Sequence, residues 1–332
     1  MPKRAKRLVV APLVLLVEAA LVVLSPLLGL IAAVLSPVTG GRRPLRALAI
    51  AVDYAVRHLA CTLACGVLWV ASGCGRHVRS PRMQRAHYAV LGWFVAGIYR
   101  TMTRLARVEL RTTDSELAER ALSAPGPVVV LSRHAGEGDS LLVLHELLCH
   151  HRRRPRVVLH EALRLDPLID MLGRRLPNRF VDPRGGDTES EIAAMARDLG
   201  DEDALLIFPE GANFSRTLRQ RAIERLERAG HAEEAAWARD MRHVAAPRPG
   251  GALAAIDAAP HADVVFLGHA GMPVGVGALW RRLATGQCIE MRLWLEPAER
   301  IPTGHDERID WLFGWWRTVD AWVGERETPR AA

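Results

Sequence analysis

The sequence predicts an α/β fold, a sheet flanked by helices, behind an N-terminal membrane-associated helical region. Three observations carry that expectation. An apolar run from Leu8 to Val38 holds one charge, Glu18. Beyond about residue 100, short apolar runs bounded by Gly and Pro alternate with longer amphipathic stretches, the pattern of strands joined by helices. No internal repeat or low-complexity linker interrupts that alternation. The division follows the composition: residues 1–100 as membrane-anchoring helices and residues 101–328 as the soluble domain.

The anchor region opens with the basic "MPKRAKR". Its apolar run is too long for a signal-peptide core and lacks a small-residue cleavage site. A spanning helix needs about 20 apolar residues, so the length suffices, although Pro26 and Pro37 oppose an unbroken helix. Two geometries fit. One is a span followed by a second through residues 48–72; the other is a re-entrant hairpin bent near Ser25 and Pro26. Asp53, Arg57 and His58 weaken the second stretch as a span and allow an interfacial helix. A third apolar stretch, residues 87–102, is expected at the membrane surface. Basic residues flank the first run on both sides (Arg4, Lys6 and Arg7; Arg42, Arg43 and Arg46), which favours a cytoplasmic orientation. The expected location is the cell (inner) membrane, with the active site on the cytoplasmic face.

In the soluble part, residues 126–132, 156–160, 179–182, 203–211, 262–271 and 288–297 read as strands. Residues 139–151 read as a helix capped by Asp139 or Ser140. Further helices are expected over 166–176, over 188–200 with Thr188 and Glu191 as a capping box, over 215–243, and over 306–327.

Charge and motif content exclude several classes. The 332-residue chain has a formal net charge of +7, almost all of its positive charge from arginine, because lysine occurs only at Lys3 and Lys6. These arginines are scattered among acidic neighbours without interleaved aromatics, so no nucleic-acid partner is expected. The five cysteines (Cys61, Cys65, Cys74, Cys149, Cys288) contain no C-x-x-C pair and read as buried free thiols. No G-x-S-x-G elbow, phosphate-binding loop or dinucleotide fingerprint occurs. "HELLCH" (145–150) falls one residue short of a zinc motif. On a helix of 3.6 residues per turn, His145 and His150 point about 140° apart, so no metal is expected there. His150 and His151, beside three arginines, read as a solvated helix end.

"LSRHAGEGDSLLVLHE" (131–146) carries the chemistry. His134 and Asp139 form H-x-x-x-x-D between a buried strand and a helix start. A histidine base needs a fixed tautomer and an oriented ring, and a carboxylate on its other nitrogen supplies both. Gly136 and Gly138 let the backbone turn tightly enough for the two to meet. The helix start directs free N–H groups at the same region, suiting an oxyanion or phosphate. No serine or cysteine nucleophile accompanies the pair, so direct attack by a bound alcohol is the natural reaction.

A second motif, "LLIFPEGANFS" (205–215), places Glu210 76 residues after His134. Together the motifs resemble the glycerolipid acyltransferase family, the lysophosphatidate acyltransferases and their lysophospholipid relatives, which carry N-H-x-x-x-x-D and then F-P-E-G-T-R. The apolar N-terminal region agrees. "APRPGGALAAI" (246–256) is similar to the P-R-x-x-G segment of the eukaryotic-type, lysocardiolipin acyltransferase-like branch. The resemblance spans roughly residues 85 to 300. It implies a mixed sheet flanked by helices and O-acyltransferase activity, most directly on 1-acylglycerol-3-phosphate to give phosphatidate. His134 would be the general base, Asp139 would orient it, and Glu210 and Gly211 would help build the acceptor site. The donor would be acyl-CoA or acyl carrier protein, the partners membrane lipids, and no metal or redox cofactor would be required. Ser132-Arg133 stand where the family has asparagine before the histidine. Ala212-Asn213 replace its threonine and arginine, and Pro183 is inserted before Arg184. Arg184, Arg216 or Arg219 would then grip the acceptor phosphate bidentately, unless the acceptor is another lysophospholipid or a glycolipid. A thioesterase and a membrane scaffold with a decayed site are the readings outside that chemistry.

Overall fold

A computed structural model describes residues 3–136, 138–181, 187–273 and 275–327. Three long helices come first: α1 (Lys3–Leu35), α2 (Arg43–Ala71) and α3 (Pro81–Leu105). Then follow β1 (Val108–Thr112), α4 (Glu116–Ser123), β2 (Val128–Ser132), α5 (Asp139–His145), β3 (Arg154–His160), α6 (Pro167–Arg175), β4 (Arg179–Val181) and α7 (Thr188–Ala196). The chain ends with β5 (Asp203–Ile207), α8 (Arg216–Arg228), α9 (Ala232–Asp240), α10 (Pro249–Ala258), β6 (Asp263–Ala270), α11 (Val276–Thr285), β7 (Gln287–Glu296) and α12 (His305–Glu327). Two compact units result. One comprises Met1–Glu109, Leu159–Asp182 and Val276–Gln287; the other comprises Leu110–Val158, Pro183–Gly275 and Cys288–Ala332.

In the first unit, α1 and α2 are both long and apolar enough to cross a membrane, and they fit a membrane-associated region. α1 is one continuous helix, with Pro12 and Pro26 inside it, rather than a hairpin bent at Pro26. A proline lacks the N–H that would bond the carbonyl four residues back. Here the Ser25 hydroxyl donates to Val22 O at 2.7 Å, satisfying the carbonyl that Pro26 leaves open. The reversal falls instead in the turn between α1 and α2. One side of α1 packs on α2; the other exposes Leu13, Leu16, Val17, Leu24, Leu27 and Ile31. So continuous an apolar stripe suits lipid rather than water.

The charges that weaken α2 as a span all have partners within this unit. Asp53 Oδ2 accepts from Arg57 Nε at 2.8 Å and from Thr101 Oγ1 at 2.7 Å. His58, 1% exposed, lies 2.8 Å from Glu18 Oε2 through Nδ1 and 3.1 Å from Asp166 Oδ1 through Nε2. Asp166 also caps α6, accepting from Ile169 N at 2.8 Å. Arg46 and Arg175 donate to the carbonyls of Leu283 and Cys65. α2 is thus docked against protein on the face of Ala55, His58, Cys61 and Cys65, while Val56, Leu63, Val67 and Val70 stay exposed. α3 buries Tyr88, Phe94, Val95 and Ile98 and packs on α2. Those buried apolar residues form a packed helix face, while Trp93 on the same helix is exposed.

The sheet has seven strands in the order β1-β7-β6-β2-β5-β3-β4. β3, β5, β2 and β6 run parallel and β7 runs antiparallel to β6, so the sheet is mixed. β2 is buried at all five positions, as expected of a central strand covered on both faces. In the second unit, α12 buries Leu312, Phe313, Trp316, Val319, Trp322 and Val323. The Phe266 ring stacks on Trp315, with centroids 4.7 Å apart. β1, α4 and α11 escaped the sequence reading because their apolar residues are few or interrupted, and α10 because Gly250 and Gly251 in its first turn are poor helix formers. The cap of α7 is Asp187, whose side chain accepts from Ser190 N at 3.0 Å, one residue before the expected Thr188. No disulfide joins the five cysteines; Cys61 and Cys65 are buried as expected, whereas Cys149 is half-buried and Cys74 and Cys288 are exposed.

Candidate active site

Strand register sets the site. Val128 pairs with Ala204 and Leu131 with Ile207, so β2 and β5 end together at their carboxyl edges. The residues that follow, His134 and Glu210, therefore emerge side by side. Substrates of parallel α/β sheets usually meet the protein at this edge. On the other flank Ser132 pairs with Leu267; two residues further along each chain bring His269 level with His134.

His134 and Asp139 meet directly: Nδ1 lies 2.9 Å from Asp139 Oδ2. The same oxygen accepts from the amides of Ala135 at 2.7 Å and Gly136 at 3.1 Å, and Oδ1 accepts from Ser140 N at 2.6 Å. Gly138 makes the turn possible at φ +101°, a conformation that costs other residues far more than glycine. Asp139 is fully buried. Burial pushes its carboxyl up, but the His134 hydrogen bond, its attraction to His134 and the Gly136 amide together hold it below the usual range. The expected amide cradle at this helix start is partly engaged, because Ser140 N is held by Asp139 itself and Asp139 N donates to Gly136 O at 3.4 Å.

The remaining ring nitrogen, His134 Nε2, has no hydrogen-bond partner among the described residues, and the side chain is 20% exposed. Phe208 stacks on the ring with centroids 4.4 Å apart. Glu210 is buried and its two oxygens accept from backbone amides, Oε1 from His134 N and Oε2 from Ala245 N, each at 2.9 Å. Phe214 N returns the bond, donating to His134 O at 2.7 Å. Residues 208–214 thus clamp His134 from both its backbone groups and its ring. Burial pushes the Glu210 carboxyl up to about 7, against the opposing pull of those amides and of Arg133 and His134.

Gly211 adopts φ +79°, and a Cβ there would lie 3.2 Å from Arg248 Nε. Arg248 N donates to Pro209 O at 2.9 Å, joining the 246–256 segment to the 208–211 turn. Arg216, exposed, opens α8 two residues after Phe214, behind the Ser215 cap. Together with Arg219, Arg221, Arg239 and Arg242 it lines an open basic groove of about 950 Å³. The Arg219 guanidinium is engaged by the carbonyls of Met241 and Arg239. Arg184 lies outside the described residues.

One residue beside the pair, His269, went unnoticed in the sequence, and Arg133 was noted there only as a departure from the resembled family. His269 is fully buried, its Nε2 3.7 Å from Asp139 Oδ2 and 3.3 Å from Arg133 O. Burial, then the Arg133 charge, pushes it down to about 4, so it stands as a neutral wall behind the carboxylate. A histidine inside the apolar strand "VVFLGHA" was the available signal. Arg133, where the resembled family has asparagine, is buried; its guanidinium reaches the carbonyls of His269 and His243 and, at 3.3 Å, Glu327. It straps the end of β2 to β6 and α12.

Residues 111–267 match the family model described as Acyltransferase. The match contains both motifs and the parallel strands that carry them. Over this region the chain is similar to acyltransferase domains, which supports acyl transfer as its chemistry. No curated protein matches the chain.

Proposed function

We propose that the protein moves an acyl chain from a thioester, acyl-CoA or acyl carrier protein, to the free hydroxyl of a lysophospholipid at a membrane surface, with 1-acylglycerol-3-phosphate as the first acceptor to test. The observation that carries this reading is a histidine held through Nδ1 by a buried carboxylate, with Nε2 left open. In the reaction, the acceptor hydroxyl gives its proton to His134 Nε2 as its oxygen bonds to the thioester carbonyl carbon. Collapse of the tetrahedral intermediate breaks the C–S bond, and the proton on Nε2 passes to the departing sulfur. Asp139 keeps the proton on Nδ1 and balances the imidazolium. Glu210 and Gly211 act by holding the His134 loop and the turn beside Arg248. Arg216, and Arg184 from the undescribed segment, are the proposed grips for the acceptor phosphate.

A lipid acceptor favours a site at the bilayer, because exposing its chain to water costs about 0.8 kcal/mol per CH₂. The apolar stripe of α1 supports such an anchor, and the basic flanks of the first run support a cytoplasmic orientation. The test is thiol release from acyl-CoA by purified protein, with and without lysophosphatidate. Release that requires the acceptor and yields phosphatidate supports the reading. Equal release without an acceptor makes the protein a thioesterase, and no release with any lysolipid overturns the proposal.

A further inference from the structure

The helix that begins at Asp139 does not continue as an α-helix to its end. Residues Glu146–His150 form a π-helical turn, closed by His151 N donating to Glu146 O at 3.0 Å. A bond from residue i+5 to residue i adds about one residue to the turn. In an α-helix the side chain five positions on faces about 140° away. Here the wider turn brings both His150 and His151 back to Glu146. Glu146 Oε1 lies 3.0 Å from His150 Nδ1 and 3.3 Å from His151 Nε2, and the three atoms all fall within 4.8 Å of one another.

The burial is uneven. The side chains of Glu146 and His151 are each 2% exposed, whereas His150 is 58% exposed. Glu146 Oε1 and His151 Nε2 are both buried without a hydrogen bond of acceptable geometry. A carboxylate oxygen and an imidazole nitrogen left in that state are costly and call for something between them. The other nitrogen of His151 is placed already: Nδ1 lies 3.1 Å from Ser123 Oγ. With Nδ1 as the donor to that hydroxyl, Nε2 carries the lone pair, the outer-shell arrangement typical of metal-bound histidines.

We propose that Glu146, His150 and His151 form a binding site for a divalent transition ion of the zinc class. Ligand bonds of about 2.0–2.1 Å in a tetrahedron put neighbouring ligand atoms about 3.3 Å apart, close to the two separations seen. An imidazole–carboxylate donor set suits zinc better than magnesium or calcium, which prefer all-oxygen shells. The two histidine rings stack 4° from parallel with centroids 4.6 Å apart, so their lone pairs converge on one ion only after one ring turns. Exposed His150 is the ring free to do so. Glu146 and His151 form the fixed half and His150 closes it, leaving a fourth position for water. The ion would fasten the end of the α5 segment, through His151 and Ser123, to α4.

The test uses the full, tag-free chain in detergent, stripped with chelator and titrated with zinc(II) against a competing chelator. The expected result is one strong equivalent in the wild type. His150→Ala, a change at an exposed side chain, should weaken it by about 100-fold, an even share of the total affinity of a structural zinc site. Glu146→Gln should act similarly, and Ser123→Ala should cost about 10-fold without changing stoichiometry. Zinc should raise the unfolding temperature of the wild type and not that of His150→Ala. No strong equivalent in the wild type, or one undiminished in both His150→Ala and Glu146→Gln, overturns the site and leaves a histidine–carboxylate ion pair.

Discussion

His58 and His134 are both histidines held by carboxylates, one in each compact unit, and they serve opposite ends. His58 engages Glu18 with one nitrogen and Asp166 with the other, and its ring is sealed. Among the described residues His134 engages Asp139 with one nitrogen only, and its side chain is part-exposed. A carboxylate beside a histidine does not identify a catalytic group. What marks His134 as the candidate base is a ring nitrogen with no partner among the described residues, on a part-exposed side chain. His58 ties an otherwise unfavourable charge in α1 to α2 and to the cap of α6, and so belongs to the stability of its unit.

The largest expected effect tests the His134 side of this contrast. His134→Ala should lower acyl transfer by about 10²–10⁴-fold, with the tryptophan-fluorescence unfolding transition unmoved. Asp139→Asn should lose most of that rate, because the Nδ1 tautomer is no longer imposed. Wild-type turnover in His134→Ala would break the contrast at once.

His58→Ala should do the reverse. Removing one partner from a buried ionic group commonly costs about 3–5 kcal/mol, which should appear as a lower unfolding temperature. Activity per folded molecule should hold. A His58→Ala protein that unfolds normally but cannot turn over would put His58 in the chemistry.

Glu210→Gln sharpens the comparison inside the active-site unit. A glutamine offers one acceptor where Glu210 meets two amides, so one buried N–H loses its partner at about 1–3 kcal/mol. The rate should fall because the His134 loop loosens. The pH response carries a sign. With the folded carboxyl raised from 4.5 to about 7, the folded state holds the proton more tightly than the unfolded one. Glu210 therefore makes stability decline as pH rises from 4.5 toward 7. Glu210→Gln should flatten that decline in an unfolding-temperature series, and an unchanged slope would contradict it.

The smallest effect concerns His269. Its folded value is lowered from 6.5 to about 4, so the unfolded chain takes up the proton more readily. Its contribution is complete above pH 6.5 and declines as pH falls toward 4. His269→Gln should lose less stability than the wild type over that window, measured as the difference between the two unfolding curves. Equal acid sensitivity would mean that His269 is not the group protonated on unfolding.

Much of the site was legible in order along the chain. H-x-x-x-x-D next to an apolar strand pointed to His134 and Asp139, and "FPEG" after a second strand pointed to Glu210, because short-range spacing and strand patterning are local properties. The role that Glu210 plays was not legible. Its two amide bonds reach residues 76 and 35 positions away; the register of β2 against β5 brings His134 to it, and the return of the chain after α9 brings Ala245. His269 was missed for the same reason: its neighbour is set by pairing across the sheet, not by sequence distance.

The anchor shows the same division. Length and apolarity alone marked residues 8–38 and 48–72 as membrane-seeking, since hydropathy is additive along a segment. Where α1 reverses, and that Asp53, Arg57 and His58 would all be paired, depended on hydrogen bonds such as Ser25 to Val22 and His58 to Asp166. At the end of the α5 segment, the assumption of 3.6 residues per turn was itself the limit. The sequence determined which residues were present and how they alternate. Tertiary structure decided the backbone period at Glu146, because a π turn costs more than an α turn locally and persists only where surrounding contacts hold it. His151 is one such contact, buried against Ser123.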